Sequence, residues 1–296
     1  RTVRRLPLTH RFARRLACSG FRGASWYWRV ATFVQRRPKP GLVWLPDGTP
    51  LIHDPDDWTC RSAYEGTYER EILHLLDDLL DRGDSVVDVG ANVGIITSHA
   101  AHLVGPTGRV VAVEPSPRCL EDLRRVADEF SNVTVLAAAL GPAQGTVELT
   151  GWDNPDHRGL GTLVTGHRAG LEENWHDGQA VTVPQVRLHD LIGTHLGEDS
   201  QIALLKVDVE GYEPAVLAGA PMLFTDMRVR SAILEVTPSV GSDWVGELVA
   251  ETSGGYDAFA IGEAGALRRK LSLTPVSAAS AVNRSGQWNL LLRQRD

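Results

Sequence analysis

A short apolar segment that runs directly into a glycine turn, Ser85-Val-Val-Asp-Val-Gly-Ala-Asn-Val-Gly94, constrains the fold more than any other feature. Its valines predict a strand that is covered on both faces. Gly90 and Gly94 allow the backbone to approach a ligand closely where a helix begins. A second apolar segment ends in Glu114, 20 residues after Gly94. At this offset a carboxylate can accept hydrogen bonds from ribose hydroxyls. The two segments therefore predict a site for a nucleoside-bearing cofactor.

Short apolar strands alternate with helical segments over the rest of the chain, which predicts a parallel, doubly wound α/β sheet. Strands are expected near residues 85–89, 109–114, 133–138, 202–208 and 231–236. Helices are expected at 93–104, 117–130, 213–220 and 243–252, with a hairpin extension near 146–150. A Gly-, Ser- and Arg-rich stretch without helical periodicity separates two final strands near 256–261 and 287–293. These two strands are predicted to form an antiparallel pair at the sheet edge.

The segment before the sheet has a different pattern. Asp47-Gly48 lies between two apolar runs, which predicts a hairpin turn. Residues Tyr68–Arg82 have apolar positions at helical spacing and are followed by Gly83, which predicts an amphipathic helix that ends there. We therefore predict a basic arm with a hairpin extension over residues 1–66 and a cofactor-binding domain over 67–296. Residues 151–180 show no periodicity, and they are interpreted either as a substrate lid or as a surface insertion.

Charge is unevenly distributed along the 296 residues, whose formal net charge is −7. Residues 1–39 hold ten Arg and one Lys but no acidic residue, and the same segment carries several aromatic side chains. This arm is either a solvated helical segment or a surface for anionic lipid, nucleic acid or an acidic substrate. The chain has no apolar run of about 18 residues. Its three cysteines are scattered, which argues against a zinc or disulfide framework and predicts a reducing cytoplasm.

Ionisable residues collect at the end of another predicted strand, in Leu204-Leu-Lys-Val-Asp-Val-Glu-Gly-Tyr-Glu213. Lys206, Asp208 and Glu210 fall at the carboxyl end of that strand, where open α/β sheets bind ligands. Such groups are costly to bury unless they are paired or functional, so the alternative is an ion pair that only fixes the loop. Glu235 is predicted to end the neighbouring strand.

The spacing of the glycine turn discriminates between cofactors. It is a G-x-x-x-G turn, whereas dinucleotide-binding turns cluster their glycines to receive a pyrophosphate. Asn92 lies in the middle of the turn, and its amide suits an amino-acid moiety. A nicotinamide-dependent oxidoreductase is kept as an alternative, as is a non-catalytic binding module that uses the basic arm.

Together these motifs resemble the FkbM-type methyltransferases, which depend on S-adenosylmethionine and have the class I Rossmann-like fold. The resemblance rests on Asp88–Gly94, Lys206-Val-Asp-Val-Glu-Gly211, Val216-Leu-Ala-Gly219 and the Tyr68-Glu69 pair. It implies that Gly90, Asn92 and Gly94 surround the methionine part of the cofactor and that Glu114 binds the ribose. The full cofactor set that it implies is Glu69, Asp88, Gly90, Ala91, Asn92, Gly94, Glu114 and Asp208. One departure is Ala137-Ala-Ala-Leu140, where the family often has an Asn shortly before an Ala-Leu pair.

The resemblance also implies methyl transfer to a hydroxyl oxygen of a sugar, a polyketide or another secondary metabolite. An alcohol needs a base as its oxygen attacks, and Asp208 and Glu210 are the candidates, with Lys206 orienting one of them. In a metal-assisted variant, Asp208, Glu210 and Glu235 hold Mg²⁺. The expected partner is a small-molecule hydroxyl acceptor, because the acidic body argues against nucleic acid. The arm is compatible with peripheral membrane contact, and the chain is compatible with a homo-oligomer.

Overall fold

The computed structural model describes residues 5–21, 23–34, 39–153, 161–163, 179–237, 243–265 and 270–295. Its helices are α1 (Leu8–Cys18), α2 (Ala24–Val34), α3 (Trp58–Glu65), α4 (Arg70–Leu79), α5 (Ile95–Val104), α6 (Pro117–Ala127), α7 (Leu188–His195), α8 (Glu213–Ala218), α9 (Asp243–Thr252) and α10 (Ala278–Val282). Its strands are β1 (Gly41–Trp44), β2 (Pro50–His53), β3 (Ser85–Val89), β4 (Arg109–Val113), β5 (Val133–Leu136), β6 (Ala139–Leu140), β7 (Gly145–Leu149), β8 (Val181–Val186), β9 (Ile202–Val207), β10 (Val229–Val236), β11 (Tyr256–Ala264), β12 (Lys270–Pro275) and β13 (Trp288–Gln294).

An eight-stranded sheet in the order β12-β11-β13-β10-β9-β3-β4-β5 forms the centre of the fold. The five strands from β10 to β5 are parallel, and β13, β11 and β12 are antiparallel. Both faces are covered, because successive side chains of a strand point to opposite sides. Val86 packs in a cluster with Leu76 of α4, whereas Val87 packs in another with Ile192 of α7. The predicted doubly wound α/β sheet is confirmed.

The C-terminal strands differ from the prediction. The pairing of β11 with β13 is confirmed as antiparallel, but the edge position predicted for this pair is wrong. The segment between them forms β12, which pairs with β11 outside it, and the short helix α10. Leu271 and Leu273 alternate with polar residues in β12 and pack against the apolar layer that contains Leu76. This alternation is too short to stand out from its Gly- and Arg-rich surroundings.

A separate three-stranded sheet in the order β6-β8-β7 accompanies the main sheet. The predicted extension near 146–150 is β7, and its antiparallel partner is β8, which the sequence analysis did not predict. Pro184 lies inside β8, and a proline weakens the strand pattern. The helix predicted over Tyr68–Arg82 is shorter, since α4 spans Arg70–Leu79 and Leu80 is already extended.

The N-terminal segment packs against the sheet domain. The predicted hairpin is confirmed as β1 and β2, and the Ser98 hydroxyl of α5 donates a hydrogen bond of 2.6 Å to the Pro50 carbonyl.

The domain boundary at residue 66 stays a prediction. Most of the predicted lid, residues 154–160 and 164–178, lies outside the described residues, so its role also stays a prediction. Among the described helices, none has the length and apolarity needed to cross a bilayer.

Candidate active site

The carboxyl ends of β3 and β9 meet at the centre of the sheet, where the chain connections run off in opposite directions. Such a switch point opens the crevice in which doubly wound folds bind ligands. Gly90 follows β3 with a φ of +80°, and Asp208 follows β9. A Cβ at Gly90 would lie 1.8 Å from the carbonyl oxygen of Asp208. Only glycine therefore allows the two loops to approach this closely.

We expect Gly90→Ala to lower the free energy of unfolding by about 3 kcal/mol, because overpacking adds to left-handed strain. Urea unfolding monitored by circular dichroism measures this effect. Gly48→Ala is the matched control, since Gly48 has a φ of +94° but no atom within 4 Å of its added Cβ. It should cost only about 1 kcal/mol from strain. Equal losses for the two variants would mean that the contact with Asp208 is unimportant.

Glu114 connects the first two loops of the site. Its Oε2 accepts a hydrogen bond from the Asn92 N–H, and its Oε1 accepts one from the Ser116 N–H, both at 2.8 Å. Burial raises the pKa of Glu114 to about 7, although the two N–H groups favour the ionised form. Asn92 has a φ of +51°, and its Oδ1 accepts a hydrogen bond of 3.3 Å from the Cys119 thiol. The glycine turn and the carboxylate thus form one connected wall.

A buried cation lies beneath the crossing loops. The Lys206 side chain is nearly inaccessible, and its Nζ donates a hydrogen bond of 2.9 Å to Asp208 Oδ2. Burial alone would lower the pKa of Lys206, but the carboxylates of Asp208, Glu69 and Asp88 outweigh it and raise the pKa. The ammonium group therefore stays charged and holds three carboxylates around it.

Two of these carboxylates differ in their access to the site. Asp88 is fully buried, and its Oδ2 accepts a hydrogen bond of 2.6 Å from the Thr97 hydroxyl of α5. Burial raises the pKa of Asp88, and Lys206 opposes this shift. Glu69 has a φ of +38°, and its Oε2 is buried without a hydrogen-bond donor in the described structure. Burial raises the pKa of Glu69, while Lys206 lowers it.

Three carboxylates converge on the other side of the crossing loops. Asp208, Glu210 and Glu235 each place one oxygen within 4.8 Å of the others. Glu235 is 8% exposed and accepts hydrogen bonds from the side chains of Gln287 and Thr237. Burial, followed by the charges of Asp208 and Glu210, raises the pKa of Glu235 well above its ordinary value. Glu210 has a φ of +55°. Together with Glu69 and Asn92, it is one of three residues with strained backbone that border this region.

A cavity of about 520 Å³ extends from the wall formed by the glycine turn and Glu114 to the three converging carboxylates. The predicted residues that line it are Glu69, Gly90, Asn92, Glu114, Asp208, Glu210 and Glu235. Four other predicted residues are not part of its wall, and they are Asp88, Ala91, Gly94 and Lys206. Gly94 faces α6, where an added Cβ would lie 2.9 Å from Leu123, and Ala91 packs in the same apolar cluster as Leu123. These four residues support the wall from behind.

Other residues of the cavity were not singled out from the sequence. Trp58 of α3, Gln287, Trp288 and Asn289 line it next to the carboxylates. β13 is antiparallel to β10, with Trp288 opposite Val236 and Asn289 opposite Glu235. An antiparallel strand begins at the edge where its parallel neighbours end, so its first residues reach the site. The predicted pairing of the two final strands with each other does not show that β13 lies beside β10, so no signal in the sequence identifies these residues.

The remaining wall is mainly apolar. Ala138, Ala139 and Leu140 line it at the position where the sequence departs from the family pattern, and Ser116 and Cys119 lie on the same side near Glu114. The 151–180 insertion also reaches the cavity through Gly161 and Leu163, in its described middle part. Three histidines of this insertion, His157, His167 and His176, lie outside the described residues.

Comparisons with known proteins agree with this arrangement. Residues 88–269 match the family profile described as Methyltransferase FkbM domain. The chain is 31% identical to Methyltransferase sdnD of Sordaria araneosa over 51% of its length and 65% of that protein. It is 26% identical to Methyltransferase 1 of Beauveria bassiana over 67% of its length and 86% of that protein.

Among solved structures, a methyltransferase FkbM from Methylobacillus flagellatus is 16% identical, with a TM-score of 0.42 over 80% of this chain and 55% of that one. The family match overturns the oxidoreductase alternative, and it also argues against a module without catalysis. The matched range contains both the Gly90 turn and the Lys206–Gly211 segment. The chain belongs to the FkbM family of methyltransferases.

Proposed function

We propose that this protein transfers the methyl group of S-adenosylmethionine to a hydroxyl oxygen of a small-molecule acceptor. The observation that carries the proposal is the single cavity that joins the Gly90–Glu114 wall to the Asp208, Glu210 and Glu235 carboxylates. Methyl transfer needs a donor site and an acceptor site that open onto each other, because the reacting atoms must align.

The donor side fits S-adenosylmethionine in three respects. Glu114 offers a carboxylate at the end of β4, where ribose hydroxyls can donate to it. Gly90 and Asn92 of the glycine turn line the cavity, and Glu69 Oε2 is a buried acceptor that an ammonium group of the methionine moiety would satisfy. When bound, the cofactor supplies an activated methyl group on a sulfonium centre.

The acceptor side supplies the base. As the acceptor oxygen forms its bond to carbon, its proton passes to the Asp208 carboxylate, and Lys206 holds that carboxylate in place. Trp58, Tyr68 and Trp288 also line the cavity, and the ring centroids of Trp58 and Tyr68 lie 6.1 Å apart. The charges of Glu69, Asp208 and Glu235 act on Tyr68, so these rings lie near the carboxylates. Rings next to hydrogen-bonding acceptors suit a polyhydroxylated molecule with apolar faces, such as a sugar or a polyketide.

A transfer assay tests the proposal. The purified chain is incubated with S-adenosylmethionine that carries a labelled methyl group and with a panel of sugars, polyketide-type alcohols and amines. We expect label on hydroxyl oxygen and release of S-adenosylhomocysteine in equal amounts. Label only on nitrogen or carbon would contradict the hydroxyl acceptor while leaving the methyltransferase activity in place.

The role of Glu114 gives a prediction about affinity and pH. We expect Glu114→Gln to weaken S-adenosylhomocysteine binding about tenfold to a hundredfold, because hydrogen bonds to a charged group are lost. The pKa of Glu114, raised to about 7, means that the free protein carries a proton there at pH 6. Wild-type affinity should therefore rise between pH 6 and pH 8, and the rise should be about tenfold smaller in the variant, in which the buried Glu69 carboxyl still titrates.

Isothermal titration calorimetry at the two pH values measures both effects. Glu148→Gln is the control, since it is the same substitution at an exposed position of β7. It should leave the affinity and its pH dependence unchanged. A pH response as large in Glu114→Gln as in the wild type would assign the titration to another group.

The carboxylate cluster also favours a second, metal-assisted form of the reaction. Three oxygens within 4.8 Å of each other form a donor set that suits Mg²⁺, which would lower the pKa of an acceptor hydroxyl. Asp208 and Glu235 already accept hydrogen bonds from Lys206, Gln287 and Thr237, so we place the metal-free form first. We expect full turnover after dialysis against EDTA. Loss of turnover that Mg²⁺ restores would establish the metal-assisted form.

A further inference from the structure

The two N-terminal helices present an apolar surface to solvent. Nine large apolar side chains are exposed in the described part of the chain, and six of them lie on α1 and α2. We call these six the arm patch: Leu8, Phe12, Trp26, Val30, Phe33 and Val34. The rings of Phe12 and Trp26 both contact the ring of Tyr27, with centroid distances of 5.9 and 5.1 Å. The patch therefore spans both helices.

Among the described residues, the packing of α2 uses its other side and leaves this patch exposed. Helix α2 buries Ala24, Trp28 and Ala31 on its inner side, yet Trp26, Val30 and Phe33 follow the opposite side at helical spacing. Phe33 is 93% exposed. A helix that is apolar around its whole circumference is normally buried, and exposed apolar patches mark interaction sites. The outer side of α2 is thus suited to an external partner.

The inner side is firmly attached to α3. His10 and the Tyr64 hydroxyl share a hydrogen bond of 2.7 Å, and Trp28 donates one of 3.1 Å to the Glu65 carbonyl. Arg14 donates a further hydrogen bond of 2.8 Å to the Tyr64 carbonyl. These contacts fix the helices on the body of the protein, so that the arm patch is held outward.

The segment that carries the patch has charges of one sign only. Its exposed charged residues in the described part of the chain are Arg5, Arg11, Arg15, Arg29 and Lys39, and the first acidic residue of the sequence is Asp47. We propose that the arm patch docks on an anionic lipid surface. The apolar and aromatic side chains enter the headgroup region while the arginines contact lipid phosphates, as basic amphipathic helices do.

Other occupants fit these observations less well. A second copy bound through a twofold axis would bring the same arginines face to face, and like charges repel. A nucleic acid would match the arginines but would leave Leu8, Val30 and Phe33 without apolar contact. Lipid satisfies both the charge and the apolar surface. The inference is independent of the methyl transfer, since no residue of the arm patch lines the cavity.

Cosedimentation with vesicles tests the inference on the whole chain. We expect binding to phosphatidylcholine vesicles that contain phosphatidylserine, weaker binding as salt increases, and little binding to pure phosphatidylcholine. Trp26→Ser combined with Phe33→Ser should lower the partition coefficient about tenfold or more, because buried aromatic surface is lost. Arg11→Gln and Arg15→Gln should each lower it about fivefold. Met222→Ser is the control, since Met222 is 59% exposed outside the patch.

Three results would overturn the inference. The first is equal binding to neutral and anionic vesicles, or none to either. The second is an unchanged partition coefficient in the Trp26→Ser, Phe33→Ser variant, provided that its melting temperature matches that of the wild type. The third is binding of a polyuridine RNA without vesicle binding, which would assign the surface to nucleic acid.

Discussion

Replacing Lys206 by Met should lower the free energy of unfolding by about 4 kcal/mol, because it leaves buried carboxylates without their cation. In an unfolding experiment this corresponds to a melting temperature about 12 °C lower. Lys206 is 3% exposed and donates a hydrogen bond to Asp208. The carboxylates of Glu69 and Asp88 also interact with its positive charge. Without Lys206, burying these carboxyl groups in the folded protein costs least free energy when they are protonated.

The loss should therefore depend on pH in a definite direction. The carboxyl pKa values in the folded variant lie above those of the unfolded chain, so the folded state binds more protons and stability falls as pH rises. We expect the melting temperature of Lys206→Met to be higher at pH 5.5 than at pH 8. Lys270→Met is the matched control, since Lys270 is exposed on the edge strand β12. A similar small effect in both variants would show that the buried charge cluster does not stabilise the fold.

Replacing Asp208 by Asn should lower turnover about a hundredfold to ten-thousandfold, which is the usual contribution of a general base. The assay uses the hydroxyl acceptor found in the labelled-methyl panel. Affinity for S-adenosylhomocysteine should change little, because Asn92, Glu114 and the Gly90 turn remain in place. The effect should thus appear in kcat and not in cofactor binding.

Asp226→Asn is the matched control, because Asp226 is an exposed aspartate that precedes β10. It should leave turnover unchanged. Near-normal turnover in Asp208→Asn would exclude Asp208 as the base. A fall in turnover that occurs together with an equal fall in cofactor affinity would assign Asp208 to the donor site.

Much of the central sheet could be predicted because its signals are local. The valines of β3 and β4 and the apolar run of β9 are covered on both faces, so each strand is visible as a continuous apolar segment. Parallel strands have their carboxyl ends at one edge of the sheet, so Gly90 and Asp208 were predicted to lie at the same edge. For the same reason the residues after β3 and β9 could be named from the sequence.

The parts that could not be predicted depend on contacts between distant segments. β8 becomes a strand by pairing with β7, and Gln287, Trp288 and Asn289 reach the site only because β13 runs antiparallel beside β10. A motif also does not show which of its side chains face the ligand. Gly90 and Asn92 line the cavity, whereas Ala91 and Gly94 of the same turn pack against α6.

Calorimetric titration of the purified chain with S-adenosylhomocysteine and, separately, with NAD⁺ shows which cofactor the glycine turn binds. We expect S-adenosylhomocysteine to bind at one site per chain, Glu114→Gln to weaken this binding, and NAD⁺ to give no binding heat. Binding of NAD⁺ without binding of S-adenosylhomocysteine would contradict the assignment of the Gly90–Glu114 wall to a methyl donor.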